Sequence, residues 1–164
     1  MSALVIDGFA FGRAKDQREG DFEVANLKRL QQDCADNSGT LHWTVTGSTH
    51  NMGYPQLILA VTGTVQLMCQ RCLTPFAFGI DSETVLLLAQ DDASADELES
   101  IIDDDSIDVV VGTRTMNILD LIEDEALLAL PQSPRHDVCP GNTLPGGDQD
   151  KKELPFSVLK GLKQ

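Results

Sequence analysis

Leu57-Ile58-Leu59-Ala60-Val61-Thr62-Gly63-Thr64-Val65-Gln66-Leu67-Met68, then Cys69-Gln70-Arg71-Cys72-Leu73-Thr74-Pro75, is the stretch on which the fold turns. From Leu57 onward, positions 57, 59, 61, 65 and 67 are apolar. A period of two is that of a strand with one buried face. Gly63 falls on the same face, where a bulge or bend is expected. Residues 69–75 interrupt the run, and residues 76–89 read as the returning strand. Upstream, Leu41, Trp43 and Val45 alternate with His42, Thr44 and Thr46, which gives another half-buried strand. Asn51-Met52-Gly53-Tyr54-Pro55 links the two as a turn. The spacing therefore predicts a meander of three antiparallel strands, with the cysteine pair at a hairpin end.

Helices and loops surround this core. Leu27, Leu30 and Cys34 recur at three- and four-residue spacing, which predicts a first helix over residues 22–34, capped by Asp21 and broken at Ser38-Gly39. Residues 91–108 carry nine acids and no Lys or Arg. They read as a solvated, partly disordered acidic loop over about 91–106, or, more sharply, as a docking strip for a basic partner. Residues 107–111 form a short strand. Asn117 caps a second helix that ends at Pro131. Asp120, Glu123 and Asp124 share one face of it, while Glu125 falls among its apolar residues. A carboxylate there costs several kcal/mol unless paired. Arg71 is the first expected partner and Arg135 the second; the alternative is that the helix rotates or ends early and exposes Glu125.

The expected organisation is one α+β domain over residues 1–139. It consists of a largely antiparallel sheet, curled toward a barrel in its closed form, packed on two main helices. Residues 140–153, rich in Gly, Pro, Asp and Lys, read as a flexible linker. In residues 154–164, Phe156, Leu159 and Leu162 fall three apart beside Lys160 and Lys163, with Pro155 at the start. This is the pattern of a short helix that docks on its own body or on a partner.

Composition narrows the function. The chain has 164 residues, 26 Asp and Glu against 12 Lys and Arg, and a formal net charge of −14. A hydrophobic content of 41% excludes a wholly disordered acidic chain. No apolar run approaches the roughly 18–20 residues of a membrane span. The first residues lack the basic stretch and apolar core of a secretory signal. A cytoplasmic protein with no membrane contact is expected. The acidity is wrong for coating a phosphate backbone by counterion release, so there is no broad basic face for RNA. Direct RNA contact would need a local patch such as Arg13, Lys15, Arg18, Lys28 and Arg29. Basic proteins would be attracted.

Four cysteines are too few for a disulfide scaffold in this length. Cys69-x-x-Cys72 has the spacing of half a zinc site, and His136-x-x-Cys139 can supply the other half. Three thiolates and one imidazole suit one closed structural zinc. Against this, Leu73 rather than glycine follows Cys72; the alternative is that the cysteines are small, partly buried hydrophobes. A redox role is disfavoured, because the pair leads into a strand and not a helix N-terminus. No nucleophile with a base and an orienting group can be assembled, nor is there a phosphate-binding glycine loop. A non-enzyme is expected.

Four segments together resemble the bacterial YceD family. They are Cys69-Gln70-Arg71-Cys72-Leu73-Thr74-Pro75-Phe76; the helix from Asp120 through Glu123-Asp124-Glu125 to Pro131; His136 followed by Cys139; and Pro155-Phe156-Ser157-Val158-Leu159 with its trailing lysines. They occur in the family's order. The resemblance implies a non-enzymatic ribosome biogenesis factor that promotes synthesis, processing or stability of the large-subunit 23S rRNA. It supplies no catalytic residues. It directs attention to the turn with Arg71, Pro75 and Phe76, to the helix with Glu123, Asp124, Glu125 and Pro131, and to the C-terminal segment. The expected partner is a large-subunit precursor or a basic ribosomal protein. The competing readings are a zinc-binding adaptor for a basic protein and a direct RNA-binding module.

Overall fold

The computed structural model describes residues 4–140. The expected linker beyond Pro140 and the segment 154–164, with Pro155, Phe156, Leu159 and Leu162, lie outside the described residues. In chain order the elements are β1 (Val5–Ile6), α1 (Gly8–Ala14), β2 (Gln17–Glu23), a 3-10 turn (Val24–Asn26), α2 (Lys28–Asp33), β3 (Thr40–Thr49), β4 (Pro55–Met68) and β5 (Pro75–Ala89). Then follow α3 (Asp92–Ile101), β6 (Ile107–Val111), β7 (Met116–Asn117) and α4 (Ile118–Ala129).

The fold is α+β. A five-stranded sheet has the order β2-β3-β4-β5-β6, and β1 pairs with β7 in a separate ribbon. All neighbours are antiparallel except β5 and β6. The predicted meander is β3-β4-β5, and the turn at residues 50–54 joins its first two strands. The sheet is open, with β2 and β6 as its edges, so it does not close into a barrel.

Alternation puts Leu57, Leu59, Val61, Val65 and Leu67 of β4 in the core with Leu41, Trp43 and Val45 of β3. Ile118, Ile122 and Ala126 of α4, Leu30 of α2, the preceding Leu27 and Phe11 of α1 cover that face. At the end of β5 four consecutive residues, Leu86 to Ala89, are buried. Leu86 and Leu88 join the main core, while Leu87 and Ala89 pack under Leu98 of α3 on the opposite face. Both faces are covered there, which is why the alternation disappears.

Three expectations are corrected. Residues 22–34 are not one helix. Gln17 to Glu23 pair with Thr46 to Thr40 on β3, and Phe22 stacks on Trp43 at 5.2 Å, so the ladder overrides the local helical spacing. Asp21 therefore caps nothing; its carboxylate lies 3.0 Å from His42 Nδ1 across the strands. Residues 91–106 are not all loop, since 92–101 are helical and 102–106 lack regular structure. Asp91 accepts from Ser94 N at 2.7 Å and starts α3, the crossover that a parallel β5–β6 pair requires. The described residues hold four α-helices; α2 lies within the first expected helix and α4 is the second.

Gly63 marks no bulge, because β4 pairs without interruption on both sides. A Cβ there would meet Thr40 O at 2.5 Å, so the glycine permits close approach of β3. Arg13, Arg18 and Arg29 sit on α1, β2 and α2; Arg18 lies over the Phe11 ring, and Arg29 is bound by carboxylates. Among the described residues, no helix is long and apolar enough to cross a membrane.

Candidate metal centre

The β4–β5 hairpin pairs Met68 with Pro75 and closes through residues 69–74. Cys69 N donates to Thr74 O at 3.0 Å and Leu73 N to Cys69 O at 2.9 Å. This tight loop turns Cys69 and Cys72 toward one side, and Leu73 meets it in the left-handed region at φ 58°. Past α4, Pro131 ends helical structure and the chain runs back beside the turn. Gln70 N donates to Pro134 O at 2.8 Å, and Ser133 Oγ to Gln70 Oε1 at 3.1 Å. His136 N points at Cys69 Sγ at 3.5 Å. The His136 ring leans on Phe76, with centroids 4.9 Å apart.

These contacts bring together all four residues expected from spacing. One ligand atom from each of Cys69, Cys72, His136 and Cys139 lies within 4.8 Å of the others. Cys69 Sγ is 3.9 Å from Cys139 Sγ, and Cys72 Sγ is 3.3 Å from His136 Nδ1. A tetrahedral ion with bonds of about 2.3 Å to sulfur and 2.0–2.1 Å to nitrogen needs edges of about 3.8 and 3.6 Å. The cluster fits such an ion with small adjustments. Cys69 and Cys139 are buried and Cys72 and His136 half-buried, so the donors point inward, as in a closed site.

The electrostatics favour a thiolate. Burial opposes ionisation of Cys69, but the backbone N–H groups of Cys72, His136 and Arg71 and the His136 ring outweigh it, bringing the thiol from 9.0 down to about 5. Cys139 moves the other way, through burial first and then the neighbouring thiols Cys69 and Cys72. Three sulfurs competing to carry charge in one small volume is a situation that a cation resolves.

The acidic helix differs from expectation. Glu125 is buried, as its position requires, but its partner is Ser82 on β5, whose hydroxyl donates to Glu125 Oε1. Neither Arg71 nor Arg135 pairs with it; both line a shallow hollow beside His136. A single hydroxyl in a strand carries no spacing signal that could have revealed this. The ion pair forms at the two preceding residues of the helix. Glu123 is 3% exposed; its Oε1 accepts from Arg29 N at 2.6 Å and Leu30 N at 3.1 Å, and its Oε2 from Arg29 Nε at 3.0 Å. Asp124 takes Arg29 Nη1 at 2.5 Å. Glu123 thus caps α2 from another helix, in place of Leu27, which has no capping side chain.

No solved structure matches the chain. The family described as large ribosomal RNA subunit accumulation protein YceD matches it over residues 57–163, which takes in the hairpin, the acidic helix and the Cys/His cluster. With most of its length inside that match, the chain belongs to the YceD family.

Proposed function

We propose that this chain is a non-enzymatic, cytoplasmic ribosome biogenesis factor that promotes accumulation of the large-subunit 23S rRNA. The family match over residues 57–163 carries this reading. The acidity supports a basic large-subunit ribosomal protein, or a precursor particle presenting one, as the first contact. Across the outer face of the sheet, Asp21, His42, Thr62 and Asp81 stand in one row, and Glu19, Thr44, Ala60 and Glu83 in the next. Asp92, Asp96, Glu97 and Glu99 of α3 add to the same sign.

Within this role the cluster is structural. Cys69, Cys72, Cys139 and His136 would hold one zinc ion, which supplies a cross-link between the hairpin and the loop after α4. With all four positions taken by protein there is none for a reacting water, in keeping with a non-enzyme.

Two experiments test the reading. Deleting the gene should lower large-subunit particles relative to small ones in a sucrose gradient; equal profiles would refute the role. Mass spectrometry of protein purified without chelator should find about one zinc per chain, and less than about a tenth of an equivalent would refute the metal.

A further inference from the structure

Helix α4 stops at Ala129, just before Pro131, but the sheet face beneath it continues past that point along β5. Phe76 and Phe78, two apart on this face, remain half-buried in a hollow of about 410 Å³ beyond the helix end. Arg71 from the cysteine turn and Arg135 from the loop after α4 line the same hollow, next to the His136 ring. Both arginines are exposed. Among the described residues neither guanidinium makes an ion pair or a side-chain hydrogen bond. One carboxylate, Asp137, also lines the hollow, leaving a local excess of positive charge in a chain of net charge −14.

We propose that this hollow binds a nucleotide of single-stranded RNA, with Arg71 and Arg135 on backbone phosphates and the rings of Phe76 and Phe78 against the base. Guanidiniums match phosphate oxygens in fork geometry, and aromatic rings accept any base by stacking. Residues two apart on a strand stand about 7 Å apart on one face, room for one base or two adjacent ones. Both arginines lie on segments that converge at the Cys/His cluster, so the site needs the turn and the loop held together. The choice of RNA as ligand rests on the proposed role in rRNA accumulation. The hollow and the acidic sheet face divide the work: one contacts RNA, the other a basic protein.

The test uses the full chain, purified without chelator, and a short fluorescein-labelled oligoadenylate followed by anisotropy at several salt concentrations. The wild-type chain should bind at low salt. The double variant Arg71→Gln/Arg135→Gln should weaken binding at least about tenfold and reduce the slope of log affinity against log salt by about 1.4, two phosphates at about 0.7 each. Phe78→Leu, which keeps most of the packing volume, should weaken binding about fivefold or more while leaving the slope unchanged. Arg114→Gln, outside the hollow, should change neither. Urea midpoints confirm that each variant is folded. No binding at low salt, binding that the arginine pair does not affect, or displacement by oligoglutamate at lower concentration than by RNA would each overturn the inference. In a deletion strain with depleted large subunits, full rescue by Arg71→Gln/Arg135→Gln would also overturn it while leaving the proposed role intact.

Discussion

Leu73 is a non-glycine residue with φ 58°, and its side chain is 73% exposed. The left-handed region costs an L residue about 1–2 kcal/mol, and little packing offsets that here. Leu73→Gly removes the strain but gives the unfolded chain more freedom. A net gain of about 0.5–1 kcal/mol is expected from urea unfolding with an unchanged m value; a lower midpoint would contradict the strain argument. Glu123 is the opposite case, a buried carboxylate whose acceptors are in use. Glu123→Ala strands the Arg29 and Leu30 amides at the start of α2 and should cost about 2–4 kcal/mol. Glu123→Gln should cost less, because its amide oxygen still accepts. Arg29→Ala should also cost less, since that side chain is half exposed. Equal losses for all three would mean that the ion pair, and not the cap, is what Glu123 contributes.

The clearest test at the level of an element is α3. The acids of residues 91–106 suggest a loop, yet Ala95, Leu98 and Ile102 follow helical spacing and pack on Leu87, Ala89 and Val109. Leu98→Ala should therefore destabilise by about 2–4 kcal/mol, as for a core leucine. A change within about 0.5 kcal/mol, the effect of a surface substitution, would mean that the helix is not docked. The same element explains β6. Without the crossover, Ile107 to Val111 would have no route to lie parallel to β5. At α2 the error ran the other way: a plausible three- and four-residue period extended the helix back over Phe22, where cross-strand pairing with Leu41 wins.

For the whole molecule, the hairpin, the loop after α4 and the helix itself meet at the Cys/His cluster. Removing metal should loosen that junction first. With chelator, melting is expected to fall by about 10 °C or more, and amide exchange should rise in residues 69–74 and 131–139 before it rises in β3 and β4. Unchanged melting would count against a structural ion. The strands at residues 57–68 and 76–89, the Asn117 cap, the stop at Pro131 and the Cys-x-x-Cys turn were all legible in the chain. Each depends on neighbours within a few residues: a period, a cap, a breaker, a spacing. What was not legible depends on residues far apart in sequence. Arg29 meets Glu123 across 94 positions, Cys69 meets Cys139 across 70, and Ser82 meets Glu125 across 43. Spacing could nominate the four ligands, but only the fold could bring the two halves into one volume. Likewise the buried position of Glu125 followed from the helical period, while its partner followed from which strand lay beneath it. Local chain geometry encodes element type and facing; the closing of the sheet under α4 selects the long-range pairs, because those contacts exist only once the core has formed.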